Sequence, residues 1–554
     1  MTAAAPPIYD FVIIGSGFGG SITAMRLAER GHRVLVLERG KRFEDADFAP
    51  STWHLRRYLW SPVLRCFGIL QVSPFRDVWV LHGSGVGGGS LGYANVLMEP
   101  SDTLFAAPAW RELADWKTIL APHFATAKRM LGVTPNPRLW PADELLHQIA
   151  REIGTAESFT PATVGTFFGE REGDEYPDPY FGGEGPARNA CRHCGGCMVG
   201  CRHNAKNTLR KNYLFFAERR GVEVRAECEV RDIREVSDGS AARYEVAYRR
   251  STALLRRGER TVRAKNVIVA AGTLGTMRLL FRCRDVTRSL ARISPRLGDS
   301  VRTNSEAILG SVSRAADVDY SRGIAITSVM YADSVTSIEP VRYPAGSSAM
   351  RFLGGPIVHA RTTLGRIGAS AAHLVRHPRD FLRTHVMPGW AERSTILLVM
   401  QTVDNRIRMR LGRSLLTGFK RGLVSQADET SEVRGSSDIG ERVTRAFAER
   451  TNGIATGSIN EGLFGTPLTA HILGGCPMGR DAASGVVDLD CQVHGYPGLF
   501  VVDGSIVPAN PGINPSLTIA ALAEYAATRI DDVARERSNP HRDWAKPLQT
   551  MASP

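Results

Sequence analysis

Residues 9–14 form an aromatic and β-branched run broken only by Asp10, and glycines follow at once at positions 15, 17 and 20. Such a run reads as a buried parallel strand. Ile22, Met25, Leu27 and Ala28 then recur at helical spacing, and Gly31 stops that pattern. Residues 33–37 read as a second strand, closing on Glu38. The glycines fit G-x-G-x-x-G, and each has a physical task. Gly15 makes the tight turn, Gly17 lets backbone approach a pyrophosphate, and Gly20 lets helix and strand pack closely. The helix N-terminus offers free N–H groups and partial positive charge to phosphates. Glu38 is placed to accept hydrogen bonds from ribose hydroxyls. Strand, turn, helix, strand and acid in this order predict a dinucleotide site, for FAD or NAD(P).

The 554 residues exceed one compact core, so two or more domains are expected. With 43% hydrophobic and 23% charged residues, the composition fits a globular protein and argues against wholesale disorder. No apolar stretch approaches the length of a membrane span. Residues 1–7 lack the basic and apolar regions of a secretion signal, so the expected location is the cytoplasm, with a peripheral membrane contact as an option. Nine unevenly spaced cysteines suit a reducing compartment. The net charge of +13 reads as a solvated Arg-rich surface, because no long basic run or nucleic-acid motif accompanies it.

Further glycine-rich segments separate the dinucleotides. Residues 83–97 read GSGVGGGSLGYANVL, with no acid-ending βαβ unit of their own. So many glycines suggest backbone lying against a flat or charged ligand. Residues 267–276 (VIVAAGTLGT) read as another buried strand ending in glycine and threonine. Residues 498–504 form a further strand ended by Asp503-Gly504, and a helical pattern follows over 516–530.

The order GSGFGG, GSGVGGGSLGYANVL, VIVAAGTLGT, HILGGCPMG (471–479) and VVDGSIVPANPGINPSLTIAALAE (501–524) resembles the glucose–methanol–choline (GMC) oxidoreductases. Within them it most resembles the cholesterol oxidase-like branch, over about residues 8–535. The resemblance implies an α/β Rossmann-type FAD-binding domain, discontinuous in sequence, with an α+β substrate domain built on a mainly antiparallel sheet. The expected division gives 8–110, 206–305 and 461–540 to the flavin domain and 306–460 to the substrate domain. Residues 111–205 would connect them, and 541–554 would be a tail. Implied FAD contacts are Gly15, Gly17, Phe18, Gly19, Gly20, Glu38, Gly83, Gly85, Gly88, Gly89, Ser90, Tyr93, Asn95, Val230, Gly272, Asp503, Gly504 and Asn514. In one respect the chain departs from the pattern. Many members carry an Asn where Tyr93 stands, so that contact passes to Asn95 or to backbone N–H groups.

Oxidising an alcohol requires removal of a hydroxyl proton and passage of hydride to the flavin N5. His471 and Asn514 match the family's active-site pair. Glu339 resembles the acid with which cholesterol oxidases move a double bond after oxidation. A carboxyl in an apolar steroid cavity has a raised pKa and can shuttle a proton. The alternative for Glu339 is a surface carboxylate paired with Arg342. The implied substrate is an apolar alcohol, best a 3β-hydroxysteroid, with O2 or an electron carrier as acceptor.

Cys191, Cys194, Cys197 and Cys201 follow C-x2-C-x2-C-x3-C, the spacing of bacterial ferredoxins with Arg202 in place of the usual proline. Four thiolates at this spacing can hold an iron–sulfur cluster or zinc. The alternative is a structural loop of free thiols. Cys66, Cys228, Cys283, Cys476 and Cys491 read as small core residues. Residues 53–75 interleave aromatic and aliphatic side chains with Arg, as a membrane-docking lid or as ordinary core. Residues 412–425 read as a basic loop, and 425–438 as a solvated one. Two other functions fit parts of the chain: a dehydrogenase passing electrons through a cluster, and a non-catalytic flavoprotein binding a membrane or partner.

Overall fold

The computed structural model describes residues 7–253, 258–428, 431 and 437–537. Two seven-stranded sheets organise it. The first runs Glu223–Arg225, Val34–Leu37, Ile8–Ile14, Glu259–Val269, Tyr244–Arg250, Cys228–Glu235, and Leu499–Val501 also joins Glu259–Val269. Its strands come from three separate stretches of the chain. Glu259–Val269 is the pivot. Its residues 263–269 pair in parallel with Ile8–Ile14, and its last residues also pair in parallel with Leu499–Val501. Its first half pairs antiparallel with Tyr244–Arg250. At the end where all the parallel strands meet, Val12–Ile14, Val267–Val269 and Leu499–Val501 are apolar and buried.

Helix Phe18–Glu29 packs on the long C-terminal helix Ser516–Arg537. Arg26 donates to both oxygens of the buried Glu524 at 2.7 and 2.8 Å, and Tyr213 donates to the same carboxylate at 2.5 Å. The N-terminal and C-terminal motifs are thereby fixed against each other.

The second sheet is antiparallel and runs Gly354–Gly355, Gly453–Ser458, Ala307–Ser313, Ser394–Gln401, Thr336–Val341, Ser328–Tyr331, Thr160–Pro161. Strand side chains alternate between faces. Leu397, Val399 and Ile338 pack under helices Asp438–Arg450 and Pro141–Glu152. Leu398, Met400 and Val341 pack on the opposite face with Ile513, beside Asn514. Glu339 pairs with Leu398 in the ladder and shares this second face.

Residues 412–425 are not a loop of their own. They close a hairpin, Ile407–Gly412 with Gly422–Ala427, whose ladder leaves only residues 413–421 as the turn. Residues 429–430 and 432–436 of the expected polar loop, and the tail 541–554, lie outside the described residues. Cys66, Cys283, Cys476 and Cys491 are buried and Cys228 is half-buried. Among the described residues, no helix is long and apolar enough to cross a membrane.

Candidate active site

The glycine-rich motifs meet in one crease. Gly15 has φ 101°, and a Cβ there would stand 2.3 Å from the Ala270 carbonyl oxygen. Only glycine fits such a turn. A Cβ on Gly88 would stand 2.5 Å from the Gly17 Cα, so the first and second motifs touch backbone to backbone. Gly20 and Gly19 face inward, against Gly15 and Val502 respectively. Gly83 packs on Gly89, and Gly85 on Leu91 and Phe43. By contrast, Gly17, Gly89 and Gly272 border open space, with no atom closer than 4.0 Å to a built Cβ.

Glu38 is nearly buried, and its own chain holds it. One oxygen accepts from the Ser16 N–H at 3.0 Å and the Ser16 hydroxyl at 2.8 Å, the other from the Gly40 N–H at 2.7 Å. Ser90 is buried inside its loop, donating to the Gly87 carbonyl at 2.7 Å and accepting from the Leu209 N–H. Tyr93 donates to the Asn207 carbonyl at 2.8 Å, its ring edge-on to Phe18 at 5.8 Å. Asn95 is fully buried and donates to Thr166, leaving its own amide oxygen unpartnered. Val230 is half-buried at a bulge in Cys228–Glu235. Asp503 accepts from the Thr276 hydroxyl at 2.5 Å and the Ser505 N–H at 2.8 Å, and burial raises its pKa. Gly504 stands at the next turn, against Leu473 and Thr273.

These residues fit FAD. The open border at Gly17, Gly89 and Gly272 leaves room along the crease. The helix starting at Phe18 has Gly17 at its cap and no side chain on its first N–H groups. That is an anion site. Positive charge that the sequence reading missed stands nearby. Burial first, then the charges of Arg39 and Arg278, push His82 well below its usual pKa.

The structure also brings Asn514 to Glu339. It adds Glu306, which no motif had flagged. Glu306 is buried, its side chain wholly so, and its carboxylate contacts His471 Nδ1 directly. Its second oxygen accepts from the Ala470 N–H at 2.7 Å. His471 keeps 16% of its side chain exposed. Thr469 fixes the local chain, donating to the Thr303 carbonyl and accepting from the His471 N–H, both at 2.9 Å.

Asn304 ties the same segment to the loop carrying Asn514. Its N–H donates to Asn510 Oδ1 at 2.9 Å, its amide to the Ile513 carbonyl at 3.2 Å, and it accepts from the Gly512 N–H at 3.0 Å. Asn304 and Ser305 hold φ of 55° and 45°, conformations that Asn tolerates better than most residues. The strain sits where two chain segments must be aligned.

Glu339 is fully buried, and neither of its oxygens has a hydrogen bond of ordinary geometry. Burial raises its pKa to about 8; the Asn514 amide approaches it and lowers the value somewhat, while Glu306 adds to the rise. Arg342 does not pair with it. That guanidinium donates to the Arg322 carbonyl and Thr327 and lies 3.7 Å from Asp143. Asn514 Oδ1 is buried and unpartnered.

A cleft of about 750 Å³ opens around Trp79 and Thr466, and none of His471, Asn514, Glu339 and Glu306 lines it. Phe75, Trp79, Ile407, Leu416 and Phe464 line it, with Arg76, Asp77 and Asp428. That volume is within the usual range of small-molecule sites, about 300–1,000 Å³.

The four-cysteine segment does not assemble into a ligand set. Among the described residues, no group of three or more His, Cys, Asp and Glu is placed to hold a metal ion. Cys194 is exposed, Cys201 half-buried, and Cys191 and Cys197 buried. Burial raises the thiol pKa of Cys191, and that of Cys197 to about 12. The loop is instead tied by the buried Lys206, which donates to Cys197, Leu91 and Tyr93 carbonyls at 2.7, 2.7 and 3.3 Å. Residues 53–75 divide. Tyr58, Trp60 and Ile69 are buried, whereas Trp53, Leu55, Val63 and Leu64 are exposed.

Sequence comparison matches residues 10–331 to the family "FAD dependent oxidoreductase" and residues 449–523 to "GMC oxidoreductase". The chain is 45% identical over 541 residues to a cholesterol oxidase of Mycobacterium tuberculosis, covering 94% of this chain and 91% of that one. It is 44% identical over 529 residues to a cholesterol oxidase of Acinetobacter baumannii, covering 94% of both. Among solved structures, pyridoxine 4-oxidase from Mesorbium loti superposes with a TM-score of 0.60 at 18% identity. That alignment covers 96% of this chain and 100% of the other. A formate oxidase gives a TM-score of 0.59 at 14% identity, with coverage of 96% and 100%. These two likenesses speak for the fold alone. The chain belongs to the GMC family of FAD-dependent oxidoreductases.

Proposed function

We propose that the chain oxidises the hydroxyl of a bulky apolar secondary alcohol, a 3β-hydroxysteroid, with O2 as electron acceptor. The observation that carries this reading is that Asn514 and the charge of Glu306 both meet the buried Glu339 while Glu306 contacts His471, in a chain 44–45% identical to cholesterol oxidases.

Bound FAD supplies a two-electron acceptor for the hydride leaving the carbinol carbon. It would be held by the crease of Gly17, Gly89 and Gly272, with Glu38 at the end of the second strand. His471 is placed to take the hydroxyl proton, and Asn514 to orient the oxygen. Glu339, neutral at pH 7 with a pKa of about 8, is suited to pass a proton between carbons of a ketosteroid product. A buried site keeps water away from that transfer.

Anaerobic mixing with a panel of alcohols is the test. Cholesterol should bleach the flavin band, and a His471→Ala variant should bleach far more slowly. Bleaching by long-chain primary alcohols alone would move the substrate class.

A peripheral membrane contact is supported by one exposed patch. Helix Thr363–Arg376 buries none of its residues, and Leu364 and Val375 are 82% and 79% exposed. Phe381, Leu382, Val386 and Met387 extend the apolar surface, among Arg376, Arg379 and Arg383. Arg351 joins it to the lid, donating to the Val386 and Met387 carbonyls and lying over the Trp53 and Phe352 rings. Apolar side chains ringed by Arg suit an anionic lipid surface.

A further inference from the structure

Glu306 touches no expected substrate atom, yet its position decides what His471 can do. An imidazole carries its proton on one ring nitrogen in the neutral form, and the partner of one nitrogen sets the state of the other. A carboxylate accepts hydrogen bonds and donates none. Glu306 faces Nδ1, so Nδ1 holds the hydrogen and Nε2 presents a lone pair. We propose that Glu306 is the positioning residue that makes His471 a base for the substrate hydroxyl, holding it in the Nδ1–H form and stabilising the imidazolium formed on proton uptake.

This inference rests on the proposed alcohol oxidation and deepens it. The proton balance is simple. The hydroxyl proton would move to His471 Nε2, the carbinol hydrogen would leave as hydride, for which bound FAD would be the two-electron acceptor, and the C–O bond would become C=O. The imidazolium then carries hydrogen on both nitrogens, the Nδ1–H facing the Glu306 carboxylate.

Three features argue that Glu306 is held for this purpose. Its second oxygen is occupied by the Ala470 N–H at 2.7 Å, which prevents the carboxylate from turning away. The backbone just before it carries two residues at positive φ, Asn304 and Ser305. The hydrogen bonds of Asn304 couple that turn to Gly512 and Ile513, so the same segment that presents Glu306 also sets Asn514. Arg302, at the start of the segment, lies 2.7 Å from Asp404 and so is engaged elsewhere. The other acid whose charge meets Glu306 is Glu339.

The test begins with wild-type holoenzyme. Nitrogen-15 NMR of histidine-labelled protein, assigned with His471→Gln, reads the tautomer. The neutral ring should carry hydrogen on Nδ1; a hydrogen on Nε2 would overturn the proposal. Glu306→Gln keeps a hydrogen-bonding group and removes the charge. In the holoenzyme its kcat with cholesterol should fall at least ten-fold with KM little changed, and the acid limb of the kcat profile should move to lower pH. Unchanged kcat and an unchanged limb would reject the role. If cholesterol fails as a substrate, the NMR result still decides the tautomer, so the two readings fail separately.

Discussion

Gly17 and Gly88, 71 residues apart, meet so closely that a Cβ on Gly88 would stand 2.5 Å from the Gly17 Cα. The contact makes one ligand crease from two glycine motifs. It also separates their mutational effects. Gly88→Ala would force backbone against backbone at a φ of 55°. Overpacking of this kind costs roughly 1–3 kcal/mol, so thermal unfolding should shift down by several degrees. Gly17→Ala points into open space and should leave the apoprotein's unfolding unchanged. Its flavin content, read from the ratio of flavin to protein absorbance, should fall. Equal loss of stability in both variants would contradict the assigned geometry.

Glu339 supplies a pH signature. Its folded pKa of about 8 lies above the ordinary value of 4.5 because burial penalises the anion. The stability that goes with the neutral acid is fully present below pH 4.5 and is lost as pH rises through about 8. Glu339→Gln has no proton to lose. Relative to wild type it should gain stability between pH 5 and 9, on the order of a few kcal/mol in total. Melting curves at intervals of one pH unit would show it. A constant difference across that range would mean the carboxyl is not buried as described.

The fold was largely legible because its signals are local. Residues 8–38 carry strand, turn, helix and acid within one short window, and the structure places them as read. Asn514 and His471 were legible only through motif resemblance, since nothing in a single Asn or His marks a site. Glu306 was invisible. It sits in Thr-Asn-Ser-Glu, a loop-like string, and its meaning comes from a chain segment 165 residues away. The 412–425 segment misled because Gly and Arg are dense there, while the hairpin is held by pairing between Met409 and Ser425 and their neighbours. The cysteine spacing left a cluster, zinc and free thiols open, because spacing fixes only which ligands are near in sequence. Among the described residues no group of three or more His, Cys, Asp and Glu is placed to hold a metal ion, and Lys206 ties the Cys197 carbonyl.

Lys206 joins the cysteine loop to the flavin loop through three carbonyls. Burial lowers its pKa to about 8. Lys206→Met would leave buried carbonyls without a donor, at about 1–3 kcal/mol each where unsatisfied. Urea unfolding should show a lower midpoint, accompanied by weaker flavin retention. If the midpoint fell and flavin retention held, the two loops would be uncoupled.

Thiol chemistry checks the reading of the cysteine segment. Thiolates react, and thiols buried in apolar surroundings do not. Brief alkylation of native protein, mapped by mass spectrometry, should label Cys194 first and spare Cys191 and Cys197. Iron and acid-labile sulfide should be at background in the same preparation. Stoichiometric iron would restore the cluster that the geometry does not form.

The exposed patch at Thr363–Arg376 is tested by charge reversal on its apolar side chains. Leu364 and Val375 project from a helix that buries nothing, so Leu364→Glu with Val375→Glu should not disturb the core. Fully burying side chains of this size gains about 1.5–3 kcal/mol each, and a shallow interfacial site recovers part of that. Retention on vesicles containing anionic lipid should therefore drop about ten-fold or more in the double variant. Added salt should weaken binding of the wild type, since the Arg contribution is screened. Equal vesicle retention by both proteins would remove the membrane reading. A wild-type dimer that becomes monomeric in the variant would identify the patch as a contact between copies of the chain.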